Sequence, residues 1–170
     1  MPSKQTKALE DFHTITPHLT VAGVSDAVKF YERAFGAAEL YRNLAPDGKS
    51  VMHVELMVGD SRLLLHDEFP DHGSHAPTGE DMGVTLHLYV ENVDEVYERT
   101  VAAGAKVIMP LQDCFWGDRY AIVVDPFGHR WSMATRIEDL SPRQLQERAV
   151  EFNSRTPEQM KQAAAEMFGE

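Results

Sequence analysis

The sequence carries the same pattern twice. Residues 14–21 read TITPHLTV and residues 83–90 read GVTLHLYV, so His18 in the first copy corresponds to His87 in the second. Each copy continues into a Tyr-Glu-Arg segment and then into a Gly-Ala pair. A repeat of this length indicates two copies of one supersecondary unit. We therefore expect two similar modules that place equivalent residues on opposite walls of one cavity.

Within each copy, strand-like and helix-like segments follow one another in the order β-α-β-β-β. Ser25 or Asp26 is predicted to cap the first helix, and Asn92 or Asp94 the second. The predicted fold class is α+β, with a tail that contains helices at 142–150 and 157–167. The predicted divisions are an N-terminal arm at 1–13, a first module at 14–67, a linker at 68–83, a second module at 84–136 and a helical tail at 137–170.

Charge and composition narrow the classes of partner. The chain has 27 Asp and Glu residues against 16 Lys and Arg, a formal net charge of −11, so it lacks the basic surface that nucleic-acid binding needs. No apolar run approaches the roughly 20 residues of a membrane helix, and the first residues lack the apolar core of a secretory signal. The single cysteine, Cys114, allows no internal disulfide and is typical of an inert thiol. We expect a soluble cytoplasmic protein that binds neither nucleic acid nor membrane.

The segment FWGDRY at 115–120 is the best candidate for ligand binding. Trp116 offers a flat apolar surface, Gly117 allows close approach of the backbone, and Arg119 can bind a carboxylate or phosphate with two hydrogen bonds. Tyr89 and His87 are two residues apart on a predicted strand and would share a face. The alternative is that Arg119 pairs with Asp118 or Asp125 and Trp116 only covers the core.

Four segments carry a family resemblance: FYERAFGA at 30–37, LHLYV at 86–90, FWGDRY at 115–120 and DPFGHRWS at 125–132. Together they resemble the vicinal oxygen chelate superfamily, which includes glyoxalases, bleomycin resistance proteins and dioxygenases, and most of all its PhnB-like branch. The resemblance covers about residues 14–136. It implies two βαβββ modules that form a paired-module curved sheet or open barrel, and it implies a homodimer, in some members with swapped modules.

The resemblance also bears on metal binding. Metal-dependent members place four His or Glu ligands on the first and last strands of the modules, and these positions carry over to Thr16, Leu64, Thr85 and Ser132. None of these is a strong ligand for a divalent metal. Moving two residues along each strand keeps the same face and reaches His18, His66, His87 and Ala134. These three histidines either form a displaced metal site or line the pocket without metal. A further pair, His53 and Glu55, is expected to lie on opposite strand faces and so not to chelate.

The superfamily hosts isomerases, lyases, dioxygenases, thiol transferases and drug-binding proteins, so the resemblance leaves the question of catalysis open. We predict a small-molecule-binding protein of the bleomycin-resistance type, with an amphipathic ligand held by Trp116, Gly117, Arg119, Tyr89, His87 and His18. This function requires no cofactor. If the protein binds a cofactor, the three histidines predict a divalent metal. The alternatives are a metal-dependent lyase, isomerase or dioxygenase that uses His18, His66 and His87, and a non-catalytic assembly module that acts through its tail helices.

Overall fold

The computed structural model describes residues 12–79, 83–156, 158–159 and 162. The chain forms two compact units, the first ending at Gly79 and the second starting at residue 80. Each unit contains one four-stranded mixed sheet with one helix between its first and second strands. The predicted α+β class and the repeated β-α-β-β-β order are confirmed.

The first unit contains β1 (His18–Val21), α1 (Val24–Phe35), β2 (Ala38–Leu44), β3 (Val51–Val58) and β4 (Ser61–Asp67), followed by a single 3-10 turn at Pro70–His72. The strand order in its sheet is β1-β4-β3-β2. β1 runs parallel to β4, and the other two pairs are antiparallel. β1 is shorter than the predicted strand and begins at His18, so Thr16 lies before it.

The second unit contains β5 (Thr85–Tyr89), α2 (Val93–Ala102), β6 (Lys106–Asp113), β7 (Asp118–Val124), β8 (Arg130–Arg136) and α3 (Pro142–Asn153). Its sheet has the order β5-β8-β7-β6, with β5 parallel to β8 and the other pairs antiparallel. His87 lies beside Ser132 on β8, and His18 in the first unit lies beside Leu64 on β4. The strand pairing therefore makes His18 and His87 equivalent, as the repeat predicts.

Alternation of side chains assigns a role to each sheet face. In the first unit, Leu19, Val21 and Leu65 are buried under α1, whose Phe30 and Tyr31 are also buried. Burial of each large apolar side chain contributes about 1.5–3 kcal/mol. The intervening residues of each strand point to the opposite side. We call this second side the helix-free face of the sheet, and it carries His18 and His66 in the first unit and His87 and Tyr89 in the second.

The two helices begin differently. Ser25 and Asp26 do not cap α1: its N-cap is Gly23, which has φ +93°, and the Asp67 carboxylate accepts hydrogen bonds from the amides of Gly23 and Val24 at 3.2 and 2.8 Å. The prediction was wrong because a residue from the end of β4 supplies the acceptor that a local side chain usually supplies. In α2 the predicted Asn92 cap is confirmed, with its side chain accepting from the amide of Glu95.

The tail helix α3 starts as predicted but runs on to Asn153. Ser141 and Gln144 form a capping box, and Pro142 occupies the first turn. Phe152 stacks on Phe115 with ring centroids 4.9 Å apart, which fixes the helix to the second unit. Most of the predicted helix at 157–167 lies outside the described residues. Among the residues that are described, no helix is long and apolar enough to cross a membrane.

Candidate functional site

Aromatic side chains cover the helix-free face of the second sheet. The His87 ring lies 4.5 Å from that of Tyr89 in an edge-on contact and 5.9 Å from that of Tyr120 in a stacked one. Trp116 extends the series by an edge-on contact of 5.4 Å with Tyr120. We call Trp116, Tyr120, His87 and Tyr89 the aromatic face. Since 60% of Tyr89 is exposed, flat apolar surface is available to a ligand here.

His87 is anchored from beneath by a buried hydroxyl. Its Nδ1 lies 2.7 Å from Oγ of Ser132, which is only 2% exposed. Partial burial lowers the pKa of His87, and the negative charge of Asp118 offsets part of this effect. The imidazole is therefore neutral at neutral pH, and Nε2 carries either a proton to donate or a lone pair to accept with, according to which way Ser132 donates.

One edge of the aromatic face carries a charged cluster. The Tyr89 hydroxyl donates to Asp118 at 3.0 Å, and Nε of Arg136 donates to the other Asp118 oxygen at 2.5 Å. Nη2 of Arg136 also donates to the Tyr89 oxygen at 3.3 Å. The Asp118 side chain is 3% exposed, whereas that of Arg136 is 46% exposed. The cation is thus the member of this ion pair that solvent or a ligand meets.

Arg119 does not belong to the aromatic face. It precedes Tyr120 on β7 and so points to the helix side of the sheet, where its guanidinium binds Asp94 of α2 at 2.8 Å and Asp113 of β6 at 2.9 Å. These two carboxylates raise the pKa of Arg119. The structure therefore favours the structural alternative for this residue, although its partners are Asp94 and Asp113 and not Asp118 or Asp125.

Gly117 has a structural task beside the aromatic face. Its φ of +90° lies in the left-handed region, and a Cβ at this position would come within 2.4 Å of the Glu138 carbonyl oxygen. The Gly117 carbonyl in turn accepts hydrogen bonds from the amides of Ile137 and Glu138. Glycine here lets the chain after β8 lie against the turn that presents Trp116.

Cys114 stands before this turn and is unsuited to nucleophilic chemistry. Burial, with additional effects of Asp118 and Asp113, raises the pKa of its thiol to about 11. The reactive thiolate is therefore scarce at neutral pH. This agrees with the expectation of an inert cysteine.

The helix-free face of the first sheet carries three imidazoles, with the Tyr41 ring 6.3 Å from that of His53 and the Phe69 ring stacked 6.2 Å from that of His66. The His18 ring lies 4.8 Å from that of His66 and 5.7 Å from that of His53. Nε2 of His53 approaches a Glu55 oxygen at 3.4 Å, and the other Glu55 oxygen accepts from Arg62 at 2.7 Å. The expectation that His53 and Glu55 lie on opposite faces was wrong, because residues two apart on a strand share a face. We call His18, His53 and His66 the histidine face.

Both nitrogens of His66 have partners within the first unit. Nδ1 lies 2.7 Å from the carbonyl oxygen of Asp67, which can only accept, so this nitrogen carries the proton. Nε2 lies 3.2 Å from the Thr20 hydroxyl, which also contacts the hydroxyl of Ser74. Hydrogen bonds at both nitrogens thus commit His66 to local structure. Burial and the nearby His66 and His53 lower the pKa of His18.

The fit of these residues to a divalent metal is poor. Leu64 has no donor atom, and the Ser132 hydroxyl is already bonded to His87. Within residues 12–79 and the described part of the second unit, no three His, Cys, Asp or Glu side chains are arranged to hold a metal ion. His18 and His66 are adjacent, but one nitrogen of His66 donates to a carbonyl and the other faces Thr20.

The sequence profile of the Glyoxalase/Bleomycin resistance protein/Dioxygenase superfamily matches residues 12–133. The chain belongs to this superfamily. The predicted family is therefore confirmed, and PhnB-like proteins are among its structural neighbours. Proteins of the superfamily bind small-molecule ligands, often hold divalent metals and often form dimers.

Relatives within the superfamily match most of the chain. An uncharacterised protein of Mycobacterium tuberculosis H37Rv is 38% identical over 145 residues, which cover 83% of this chain and 85% of the relative. The crystal structure of TioX from Micromonospora sp. ML1 superposes with a TM-score of 0.57 at 26% identity, over 76% of this chain and 100% of TioX. A PhnB protein from Bacillus cereus has a TM-score of 0.57 at 16% identity, over 72% and 99% of the two chains, and shows the fold alone.

Sequence reasoning missed two residues of the second sheet. Tyr120 stands at the centre of the aromatic face. It lies two residues before Ile122 on β7, so strand alternation places both on the face that carries His87. Arg136 contributes the exposed cation at the edge. It pairs with Asp118 across β7 and β8, a contact between distant positions that no local pattern reveals.

Proposed function

We propose that this protein binds an amphipathic small molecule on the aromatic face of its second module. The observation that carries the proposal is the continuous series of ring contacts from Trp116 through Tyr120 and His87 to Tyr89. Aromatic surface of this kind stabilises a planar apolar group by stacking and by burial of area. The neutral imidazole of His87 adds one polar contact next to that surface.

Membership of the superfamily supports the proposal, since its members bind small molecules. The poor fit of Leu64 and Ser132 to a metal supports binding without a tightly held ion. Of the predicted ligand-binding residues, Trp116, Tyr89 and His87 keep this role in the proposal. Gly117 has an indirect role, because its backbone positions the turn that carries Trp116. Arg119 has no role in the proposed site, and His18 belongs to the histidine face of the first unit.

The test uses N-phenyl-naphthylamine, an uncharged amphipathic probe that fluoresces when it enters an apolar site. We expect saturable binding that Tyr120→Leu weakens about 2- to 12-fold, since an aromatic contact contributes about 0.5–1.5 kcal/mol. Tyr97→Leu is the matched control, because Tyr97 is a half-buried tyrosine on α2, on the other side of the sheet. Equal effects of the two substitutions would contradict the proposal.

A metal-dependent lyase, isomerase or dioxygenase using His18, His66 and His87 is the alternative, and the close approach of His18 and His66 favours it. Elemental analysis of the purified protein separates the two functions. Stoichiometric zinc, nickel, manganese or iron that is lost in His87→Ala would establish the metal site that the alternative requires. Metal content far below one ion per chain, unchanged by His87→Ala, supports binding without metal.

We also propose that the protein is a cytoplasmic homodimer. The dimers found in the superfamily support the second part, and the acidic composition of the chain agrees with the first. Light scattering of the full chain is expected to give twice the mass of 19.1 kDa. If the protein without residues 141–170 remained a dimer in the same measurement, the tail would not be an assembly element.

A further inference from the structure

We propose that the ligand of the aromatic face is an aromatic anion, and that Arg136 binds its negatively charged group. This inference rests on the proposed function and adds the charge class of the ligand. The sequence predicted that Arg119 binds the anionic group of the ligand. Its guanidinium instead lies on the helix side, between Asp94 and Asp113.

Arg136 is contiguous with the aromatic face. Its Nη2 lies 3.3 Å from the hydroxyl oxygen of Tyr89, and the Tyr89 ring contacts the ring of His87. A planar ligand resting on Tyr120 and His87 therefore has the guanidinium within reach at one end. No other member of the aromatic face carries a full charge, because the lowered pKa keeps His87 neutral at neutral pH.

The buried partner of Arg136 orients its guanidinium. The Asp118 side chain is 3% exposed. One of its oxygens accepts a hydrogen bond from Nε of Arg136, and the other accepts one from the Tyr89 hydroxyl. Nε is thereby directed into the protein, and the Nη atoms occupy the outer end of the side chain. A planar guanidinium held in this way is preorganised to donate outward to a carboxylate, sulfonate or phosphate.

The charge of the whole chain makes this local cation decisive. A formal net charge of −11 repels anions from most of the surface, so an anion binds only where a cation and apolar surface meet. The 46% exposure of the Arg136 side chain at the edge of stacked rings supplies that combination. The same geometry disfavours an aromatic cation, which would meet the guanidinium at close range.

The test compares two probes that share a ring system and differ in one charged group. N-phenyl-naphthylamine is neutral, and anilinonaphthalene sulfonate carries a sulfonate. We expect the wild-type protein to bind the sulfonate more tightly, and we expect Arg136→Gln to weaken sulfonate binding about 3- to 5-fold while leaving neutral-probe binding within about twofold. Added salt should weaken only the sulfonate complex.

Arg119→Gln is the matched control, since it removes the same charge from the helix side of the same strand pair and should leave both affinities unchanged. Arg136→Lys keeps the charge without the fork and should give an intermediate sulfonate affinity. This second variant decides the question if Arg136→Gln fails to fold by its urea transition. Sulfonate binding that is unaffected by either Arg136 variant would overturn the inference.

The outcomes also separate the inference from the function on which it rests. If Tyr120→Leu weakens both probes but Arg136→Gln changes them equally or not at all, the aromatic face binds ligands without charge selection, and the inference is wrong. If neither probe responds to Tyr120→Leu, the proposed function and the inference fail together. Selective loss of the sulfonate in Arg136→Gln, with both probes weakened by Tyr120→Leu, supports both.

Discussion

The two modules share one backbone plan but carry different chemistry at equivalent positions. His18 lies beside Leu64 and His87 beside Ser132, so the first strands correspond residue by residue. On the third strand, Glu55 lies beside Leu64 where Ile122 lies beside Ser132. Two residues earlier, His53 of the first module therefore matches Tyr120 of the second. At these equivalent positions, the first module carries His53 and the Glu55–Arg62 pair, and the second carries Tyr120 stacked on His87.

The side chains that bind the first amides of α1 and α2, which we call the helix anchors, also differ between the modules. At the end of the last strand, Asp67 in the first module and Thr135 in the second occupy equivalent places, since each lies three residues after the partner of the repeated histidine. Asp67 accepts from three backbone amides, those of Gly23, Val24 and Val51. Thr135 accepts from Val93 alone and donates to the Val90 carbonyl. The duplicated fold thus keeps the positions of its anchors and polar faces while their side chains diverge.

The largest effect is expected at glycines with left-handed backbone, where the modules differ in crowding. Gly117→Ala would force a Cβ to within 2.4 Å of a carbonyl oxygen, whereas Gly48 has φ +67° and open space. We expect Gly117→Ala to lower the free energy of unfolding by about 3 kcal/mol and Gly48→Ala by about 1 kcal/mol. Urea unfolding measures both, and equal losses would show that Gly117 tolerates a side chain.

The next effect compares the two anchors. Asp67→Ala leaves three amides without their carboxylate acceptor, and we expect it to lower the free energy of unfolding by about 2–3 kcal/mol. Thr135→Val leaves the Val93 amide without its acceptor and the Val90 carbonyl without its donor, with little change in shape, and about 1 kcal/mol is expected. The same urea transitions test this difference. A greater loss in Thr135→Val than in Asp67→Ala would reverse the proposed ranking of the anchors.

The smallest effects concern pH. Burial lowers the pKa of both His18 and His87, and for His18 the neighbouring His66 and His53 lower it further. Because the folded pKa lies below the unfolded value, the unfolded chain binds more protons, and stability falls as pH drops below the ordinary histidine value of about 6.5. The stability that the neutral histidines contribute is fully present above about pH 6.5, and it is lost as the pH falls from that value through the folded pKa.

The histidine neighbours make this prediction specific to one module. His66→Gln removes one positive neighbour, so the pKa of His18 should rise towards its ordinary value while that of His87 stays unchanged. Proton NMR titration of the imidazole Cε1–H signals measures both residues in one sample. A shift of the His87 pKa in this variant, or none at His18, would contradict the assignment of causes.

Much of the fold was accessible from sequence because its signals are local and repeated. Alternating apolar residues predicted strands in both copies, and the first of the two Gly-Ala pairs lies where α1 ends, with φ +68° at Gly36. The α1 cap was missed because Asp67 reaches it from the far end of the module. β6 continues through Pro110, which is tolerated because β6 is an edge strand.

The site was less accessible because it depends on strand faces and distant pairs. Trp116 lies in the turn before β7, so its contact with Tyr120 follows from the turn and not from strand alternation. Arg119 and Tyr120 are adjacent on β7 and must point to opposite faces. The motif alone does not show which of the two lies on the ligand side. The parity of His53 and Glu55 was available in the sequence, whereas the pairing of Arg136 with Asp118 required the register of β7 and β8.

The equivalent histidines provide the most direct test of the central claim, that the second module and not the first presents the ligand surface. Titration of wild-type protein with N-phenyl-naphthylamine, followed by the Cε1–H signals of both residues, compares the two modules within one sample. If the second module presents the ligand surface, the shift at His87 is saturable and clearly larger than any shift at His18. A shift at His18 that equals or exceeds the one at His87 would contradict it.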